Sequence, residues 1–191
     1  MIRALIFDCF GVLYSDGKSH IKNLCPADKK DELQDLYQQT DYGYISVDEF
    51  MSQAALILST SKEELKEIIS QQYVRNDPLF AFIRSKKTDF QIGLLSNVGA
   101  DFFNQLIPKH EQDELFDTIV LSSDVGVIKP SVEIYEITAQ KLGVLPDECI
   151  MTDDLPRNVD GANLAGMHGV LFTGNHQLEA DINHMVETQG A

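Results

Sequence analysis

Five short apolar runs, rich in β-branched residues, constrain most strongly what this chain can fold into: residues 2–7, 90–95, 118–121, 149–152 and 170–172. Runs this short, with no alternation of polar and apolar positions, read as strands covered on both faces, which is how parallel sheets look in sequence. From residue 90 onward each run is followed by a stretch with helical spacing. Residues 100–107 stop at Pro108, and residues 132–142 set Val132, Tyr135, Ala139 and Leu142 on one stripe before Gly143. Residues 157–167 and 177–186 complete the alternation. Strand alternating with helix predicts an α/β fold, a doubly wound, Rossmann-like sheet of five parallel strands.

The first strand is not followed in this way. Residues 15–88 carry helical periodicity and almost no strand signal. Two sites in that stretch, Ser46 with Glu49 and Ser61 with Glu64, have the capping-box spacing of Ser followed three residues later by Glu. The helices they start carry Phe50, Ala54, Ile57 and Leu58, then Leu65, Ile68 and Ile69. The expected organisation is therefore a core from residues 1–14 and 89–191, interrupted by a helical insert at 15–88. An insert beside the carboxyl end of the first strand is well placed to act as a lid.

Composition narrows the partners. Across 191 residues, 30 acidic side chains face 15 basic ones, for a formal net charge of −15. Binding to a nucleic-acid backbone needs a basic stripe, and here Lys29-Lys30 and Lys86-Lys87 are isolated pairs, so no nucleic-acid partner is expected. Such acidity also slows the approach of anionic substrates unless a metal or local cation reverses the field. The apolar run at residues 4–7 is too short for a signal-peptide core, and no stretch approaches the ~20 apolar residues of a membrane helix, so no membrane association is expected. Cys9, Cys25 and Cys149 are odd in number, widely spaced and without a metal-ligand pattern, which fits reduced thiols and a cytoplasmic location.

In open α/β sheets ligands bind beyond the carboxyl ends of the strands. Asp8 follows the first run there, Ser96-Asn97 the second, Lys129-Pro130 comes soon after the third, and Asp153-Asp154 with Asn158 follow the fourth. An acid, a hydroxyl, a cation and an acid pair are thus delivered to one edge by four separate strands. Taken singly, Ser96 fits a helix cap, Lys129 a surface lysine and Asp153-Asp154 an acidic helix start. Together they form a constellation.

The stretches IFDCFGVLY, GLLSN, GVIKPSVEIY and IMTDDLPRNVDGANLAGMHGVLF resemble, in this order and on these elements, the four motifs of the haloacid dehalogenase superfamily. The insert is similar to that family's helical cap. The resemblance implies a Mg²⁺-dependent phosphatase acting on a small phosphorylated metabolite through an aspartyl-phosphate on Asp8. It assigns the metal to Asp154, Asp8 and the backbone carbonyl of Phe10, with Asp153 acting through water. Ser96, Asn97 and Lys129 would hold the phosphoryl group, Asn158 would orient the acid cluster, and Gly11 would allow a tight turn near the phosphate. It names no protein partner. The residue types suit these roles: a carboxylate nucleophile divides one hard displacement into two easier ones, and adjacent carboxylates call for a hard cation.

One position departs from the pattern. Phosphatases of the family carry a second aspartate two residues after the nucleophile, as general acid and base, and here that position is Phe10. Proton transfer of this kind is worth about 10²–10⁴-fold. Three readings follow: a substrate with a good leaving group, such as an anomeric sugar phosphate or an acyl phosphate; a cap residue or water moving the proton; or a chain that binds ligand without turnover. An aromatic at this position is also similar to the family's 2-haloacid dehalogenases. Those lack the paired carboxylates and use a cap arginine, whereas residues 14–74 contain no arginine. Asp16, Lys18, His20, Tyr42 and Tyr44 of the insert, and His168, His176 and His184, receive no role. Alternation along the strand predicts that Cys9 points away from Asp8 into the core.

Overall fold

A computed structural model describes residues 1–189. The chain enters through β1 (Ala4–Phe7), a strand buried at every position, which becomes the centre of a five-stranded sheet. The other strands are β2 (Gln91–Ser96), β3 (Thr118–Leu121), β4 (Cys149–Asp153) and β5 (His168–Leu171), in the spatial order β3-β2-β1-β4-β5 and all parallel. β2 and β3 lie on one side of β1, and β4 and β5 on the other. The winding therefore reverses at β1, and the crevice of such a sheet lies at that reversal.

Both faces of the sheet are covered, as the unbroken apolar runs require. Leu5 and Phe7 point to one face with Ile92, Leu94 and Ile150. That face is covered by α5 (Asp77–Lys86), α6 (Ala100–Leu106), α7 (Lys109–Leu115) and α11 (Asn175–Gln189), through residues such as Phe80, Phe103, Leu115 and Ile182. Ala4, Ile6, Leu95 and Met151 point the other way, under Ile134, Tyr135 and Ala139 of α9 (Val132–Leu142) and Ala162 of α10 (Pro156–Leu164). Cys9 is fully buried in the first cluster, on the face opposite Asp8, in line with strand alternation. All three cysteines are free and buried. Among the described residues, no helix is long and apolar enough to cross a membrane.

Between β1 and α5 stand four helices, α1 (Lys18–Leu24), α2 (Lys30–Asp41), α3 (Val47–Ile57) and α4 (Lys62–Ser70). They share a core of their own, including Ile21, Leu33, Phe50, Ala54, Leu65 and Ile69. α3 starts with the full capping box: Ser46 Oγ accepts from the Glu49 N–H at 3.2 Å, and Glu49 accepts from the Ser46 N–H at 2.8 Å. α4 has half of one. Ser61 Oγ accepts from the Glu64 N–H, but the Glu64 carboxylate takes the Thr60 hydroxyl instead.

The structure differs from the sequence reading in places. α5, assigned by sequence to the insert, buries Leu79, Phe80 and Ile83 in the sheet's own cluster, so the independent helical body ends near residue 70. β5 begins two residues before the expected 170–172, because pairing of His168 with Ile150 extends the ladder through Gly169, whatever its hydropathy. α7 follows directly on Pro108, and only Gln112 and Leu115 of its seven residues are buried, too few to show a periodicity. α8 (Ser122–Val125) is a single turn with the same problem.

Candidate active site

The register sets the geometry. Phe7 pairs with Leu94 on one side and Thr152 on the other, so the residues past β1 emerge between the ends of β2 and β4. The Asp8 N–H still donates to Thr152 O at 2.9 Å, continuing the ladder by one bond. The Asp8 side chain is thereby held on the face that also receives Asp153 and the loop carrying Lys129.

Lys129 is 3% exposed, and its ammonium is wholly engaged. Nζ lies 2.9 Å from Asp8 Oδ1 and 2.5 Å from Asp153 Oδ2, and donates to Leu95 O at 3.1 Å. Burial alone would lower its pKa, but the Asp153 and Asp8 carboxylates outweigh that effect and hold it well above the ordinary lysine value. Asp153, fully buried, spreads three contacts over two oxygens: Oδ2 takes Lys129, and Oδ1 accepts from Leu155 N and Asn158 Nδ2, both at 3.0 Å. It is saturated and serves as an anchor for Lys129. Asn158, whose Nδ2 holds Asp153, is in turn fixed by Tyr135 donating to its carbonyl at 2.7 Å.

Asn97 lines the cavity beside Ser96, and its side-chain amide is turned to Lys129. Its Nδ2 donates to Lys129 O at 3.1 Å and its Oδ1 accepts from Lys129 N at 2.8 Å, so both ends of the amide hold the lysine's backbone. Asn97 therefore acts on the site through Lys129. Ser96, by contrast, is fully buried with a hydroxyl that has no partner, and it lines the same cavity as Asp8. A buried polar atom without a partner is costly, and a ligand oxygen is the kind of group that removes the cost.

Three carboxylates, Asp8, Asp153 and Asp154, bring oxygens within 4.8 Å of one another. One ammonium cannot neutralise all three. Burial first, with the Asp153 charge adding to it, pushes Asp8 up to about 7 against the pull of Lys129, and pushes Asp154 up to about 6. Asp8 Oδ1 accepts from Cys9 N at 2.6 Å besides its ion pair with Lys129. Asp154 Oδ1 is buried without a partner. Excess negative charge with an orphaned carboxylate oxygen fits a hard divalent cation, to which Asp154 and Asp8 are the ligands with capacity to spare. Gly11 lies in the turn after β1 with a φ of +85° and packs against this group: a β-carbon there would lie 2.2 Å from Asp154 Oδ2.

The cavity in front of Asp8 measures about 250 Å³. Its far wall holds side chains to which the sequence reading gave no role: Asp16, Lys18, Lys22 and Asp41 from the cap, and Arg157 from the start of α10. Lys18 pairs with Asp41 at 3.0 Å. Burial raises the Asp41 pKa against that pairing. Lys18 and Lys22 sit four residues apart on α1, and that i,i+4 spacing was the available sequence signal. Phe10 lines the cavity, and its ring lies 5.2 Å from Tyr73 and 6.0 Å from Phe102. Those two aromatics come from distant stretches, and nothing in sequence links them. His20 and Tyr44 are exposed, and Tyr44 stacks on Tyr42. Arg75, just beyond the arginine-free stretch, is committed to Glu111 and Asp77.

A central strand that ends at Asp8, a lysine clamped between carboxylates and an acid pair at the switch point make a carboxylate-centred site on a parallel α/β sheet. The family model for haloacid dehalogenase-like hydrolases matches residues 2–166, and the chain belongs to that family. It is similar to a phosphatase of Mycobacterium tuberculosis, 26% identical over 154 residues, covering 76% of this chain and 70% of the relative. It is 27% identical over 180 residues to a sesquiterpene phosphatase of Aspergillus oryzae, covering 90% of each. Its fold is that of a haloacid dehalogenase family enzyme of Bacteroides thetaiotaomicron, solved with magnesium and inorganic phosphate. The TM-score is 0.76 at 19% identity, covering 92% of this chain and 96% of that one.

Proposed function

We propose that the protein is a Mg²⁺-dependent phosphatase of a small phosphorylated metabolite, working through an aspartyl-phosphate on Asp8. The observation that carries this reading is the Lys129 ammonium clamped between Asp8 and Asp153, beside the unpartnered Ser96 hydroxyl and the unpartnered Asp154 oxygen. Asp8 uses Oδ1 to bind Cys9 N and Lys129, which fixes the carboxylate plane and leaves Oδ2 for attack on phosphorus. Ser96 donates to a phosphoryl oxygen, and Lys129, held by Asp153, Leu95 and the Asn97 amide, supplies positive charge where negative charge accumulates. Asp154 and Asp8, with the Phe10 carbonyl, would hold Mg²⁺, which supplies charge neutralisation between the anionic nucleophile and an anionic substrate.

Phe10 cannot protonate a leaving oxygen. The reading therefore includes a substrate whose leaving group departs unprotonated, such as an anomeric sugar phosphate or an acyl phosphate. The phosphatase names of the relatives, one of them for a sesquiterpene, support phosphate-ester hydrolysis over dehalogenation. So does the acid cluster. Phe10, packed on Tyr73 and Phe102 and with no proton to give, favours the competing reading of a binding protein without turnover.

Phosphate release from sugar, acyl and aryl phosphates separates the two. Turnover with Mg²⁺ that chelator abolishes, and that falls at least about 10³-fold in Asp8→Asn, is the expected outcome. Saturable ligand binding with no release from any ester would establish the non-catalytic role instead.

A further inference from the structure

The catalytic cavity does not end at Phe10. Phe10, Lys18, Tyr37 and Asp41 line both that cavity and a narrow cleft of about 50 Å³ between cap and core. The cleft is walled by Val98 and Phe102 of the core and by Phe50, Met51 and Ile69 of the cap. Met51, Ile69, Tyr73 and Phe102 then line a groove of about 710 Å³ that opens outside. A path thus leads from beside Asp8 to the surface, apolar through the cleft and mixed in the groove, which Asp48, Lys66, Asp101 and Gln105 also line.

The path offers a sugar little. Thr40 Oγ1 donates to Leu36 O at 2.9 Å, and Lys18 and Asp41 satisfy one another, so apart from the tyrosine hydroxyls the side-chain polar groups of the cleft are used within the protein. Cations stand at its head. Lys22 and Arg157 line the catalytic cavity and, among the described residues, neither has an ion pair. Burial and the neighbouring Lys18 depress the Lys22 pKa against the opposing pull of Asp16 and Asp41.

We propose that the substrate is an alkyl diphosphate with a long hydrocarbon tail: the β-phosphoryl group at Asp8, the α-phosphate against Lys22 and Arg157, and the tail in the cleft past Phe10. This reading rests on the phosphatase assignment above. An Asp8 oxygen bonds to the β-phosphorus, and the bond from that phosphorus to the bridging oxygen breaks. The electron pair stays on the bridging oxygen, now part of an alkyl monophosphate. Water then cleaves the aspartyl-phosphate, releasing inorganic phosphate and a proton and restoring the Asp8 carboxylate. A phosphate monoester has a second pKa of about 6, so it departs as the anion at neutral pH and needs no proton from residue 10. The missing acid, the unpaired cations and the apolar cleft have this one explanation in common.

The test is phosphate release, with Mg²⁺ and below micelle-forming concentrations, from methyl, butyl and decyl diphosphates, the matching monophosphates and p-nitrophenyl phosphate. kcat/KM of the diphosphates is expected to rise about threefold to fourfold per methylene until the cleft is filled, with one phosphate released per alkyl monophosphate formed. Met51→Asp, which sets a carboxylate in the cleft wall, is expected to flatten that rise. Replacing Lys22 and Arg157 by Ala is expected to cut the preference for diphosphate over monophosphate about tenfold. Rates independent of chain length, with Asp8-dependent hydrolysis of p-nitrophenyl phosphate intact, would overturn the proposal and leave the phosphatase standing. Release from none of the compounds would sink both.

Discussion

Gly11 has a φ of +85°, and its α-hydrogen faces the Asp154 carboxylate that a methyl group would strike. Gly11→Ala therefore combines backbone strain of about 1–3 kcal/mol with displacement of the acid best placed to hold Mg²⁺. The expected result is a lower Tm together with at least about tenfold weaker Mg²⁺ binding by calorimetry; unchanged affinity would remove Asp154 from the metal site. Asp8 and Asp154 make a second prediction. A carboxyl whose pKa is raised on folding binds its proton more tightly folded than unfolded. Its folded form is thus favoured at low pH and loses stability as pH rises from the ordinary 3.8 toward about 7 for Asp8 and about 6 for Asp154. The metal-free protein is expected to melt at a lower temperature at pH 7.5 than at pH 5, and Mg²⁺ to narrow the gap. A Tm that is flat or rising over that window without metal would contradict the buried charge excess. At this scale the residue types were legible and their tasks less so. Asn97 and Asp153 stand where motif spacing puts them, yet each also holds Lys129 by a hydrogen bond, which no one-dimensional pattern expresses.

Secondary structure was most readable where burial is complete. β3 and α9 occupy the residues that their apolar pattern indicated, and α3 begins at its capping box. It was least readable where a tertiary neighbour decides the matter. α5 has the same amphipathic character as the cap helices, but Leu79, Phe80 and Ile83 bury against the sheet, while Leu65 and Ile69 of α4 bury within the cap. Periodicity says that a helix has an apolar face, not which surface that face will meet. The assignment has a consequence for stability. Ile83→Ala is expected to cost about 2–5 kcal/mol in urea unfolding of the whole sheet domain, with hydrogen exchange accelerated in β1 and β2. Exchange accelerated only in α1 to α4 would return α5 to the cap.

The whole molecule carries a formal net charge of −15, while its substrate pocket must admit an anion. Lys18, Lys22, Lys129 and Arg157 offset the acids Asp8, Asp16, Asp41 and Asp154 of the same wall, but at distances beyond the Debye length of about 10 Å at 0.1 M salt the global charge governs approach. At fixed free Mg²⁺, raising ionic strength from about 0.02 M to 0.2 M is expected to increase kcat/KM for an anionic ester, with little change in kcat. A fall would mean that the cationic wall already steers substrate in. By itself, the order of residues determined the parallel α/β architecture, the helical insertion after β1 and the gathering of Asp8, Ser96, Lys129 and Asp153-Asp154 at one edge. Each of these follows from local burial pattern and from the rule that strand ends share an edge. Only the tertiary structure decided which carboxylate is saturated and which is left with an orphaned oxygen, where Phe10 points, and that an apolar cleft leads away from the acids. Those properties belong to contacts between residues such as Phe10 and Phe102, 92 positions apart along the chain, and a contact of that kind exists only once the chain has closed on itself.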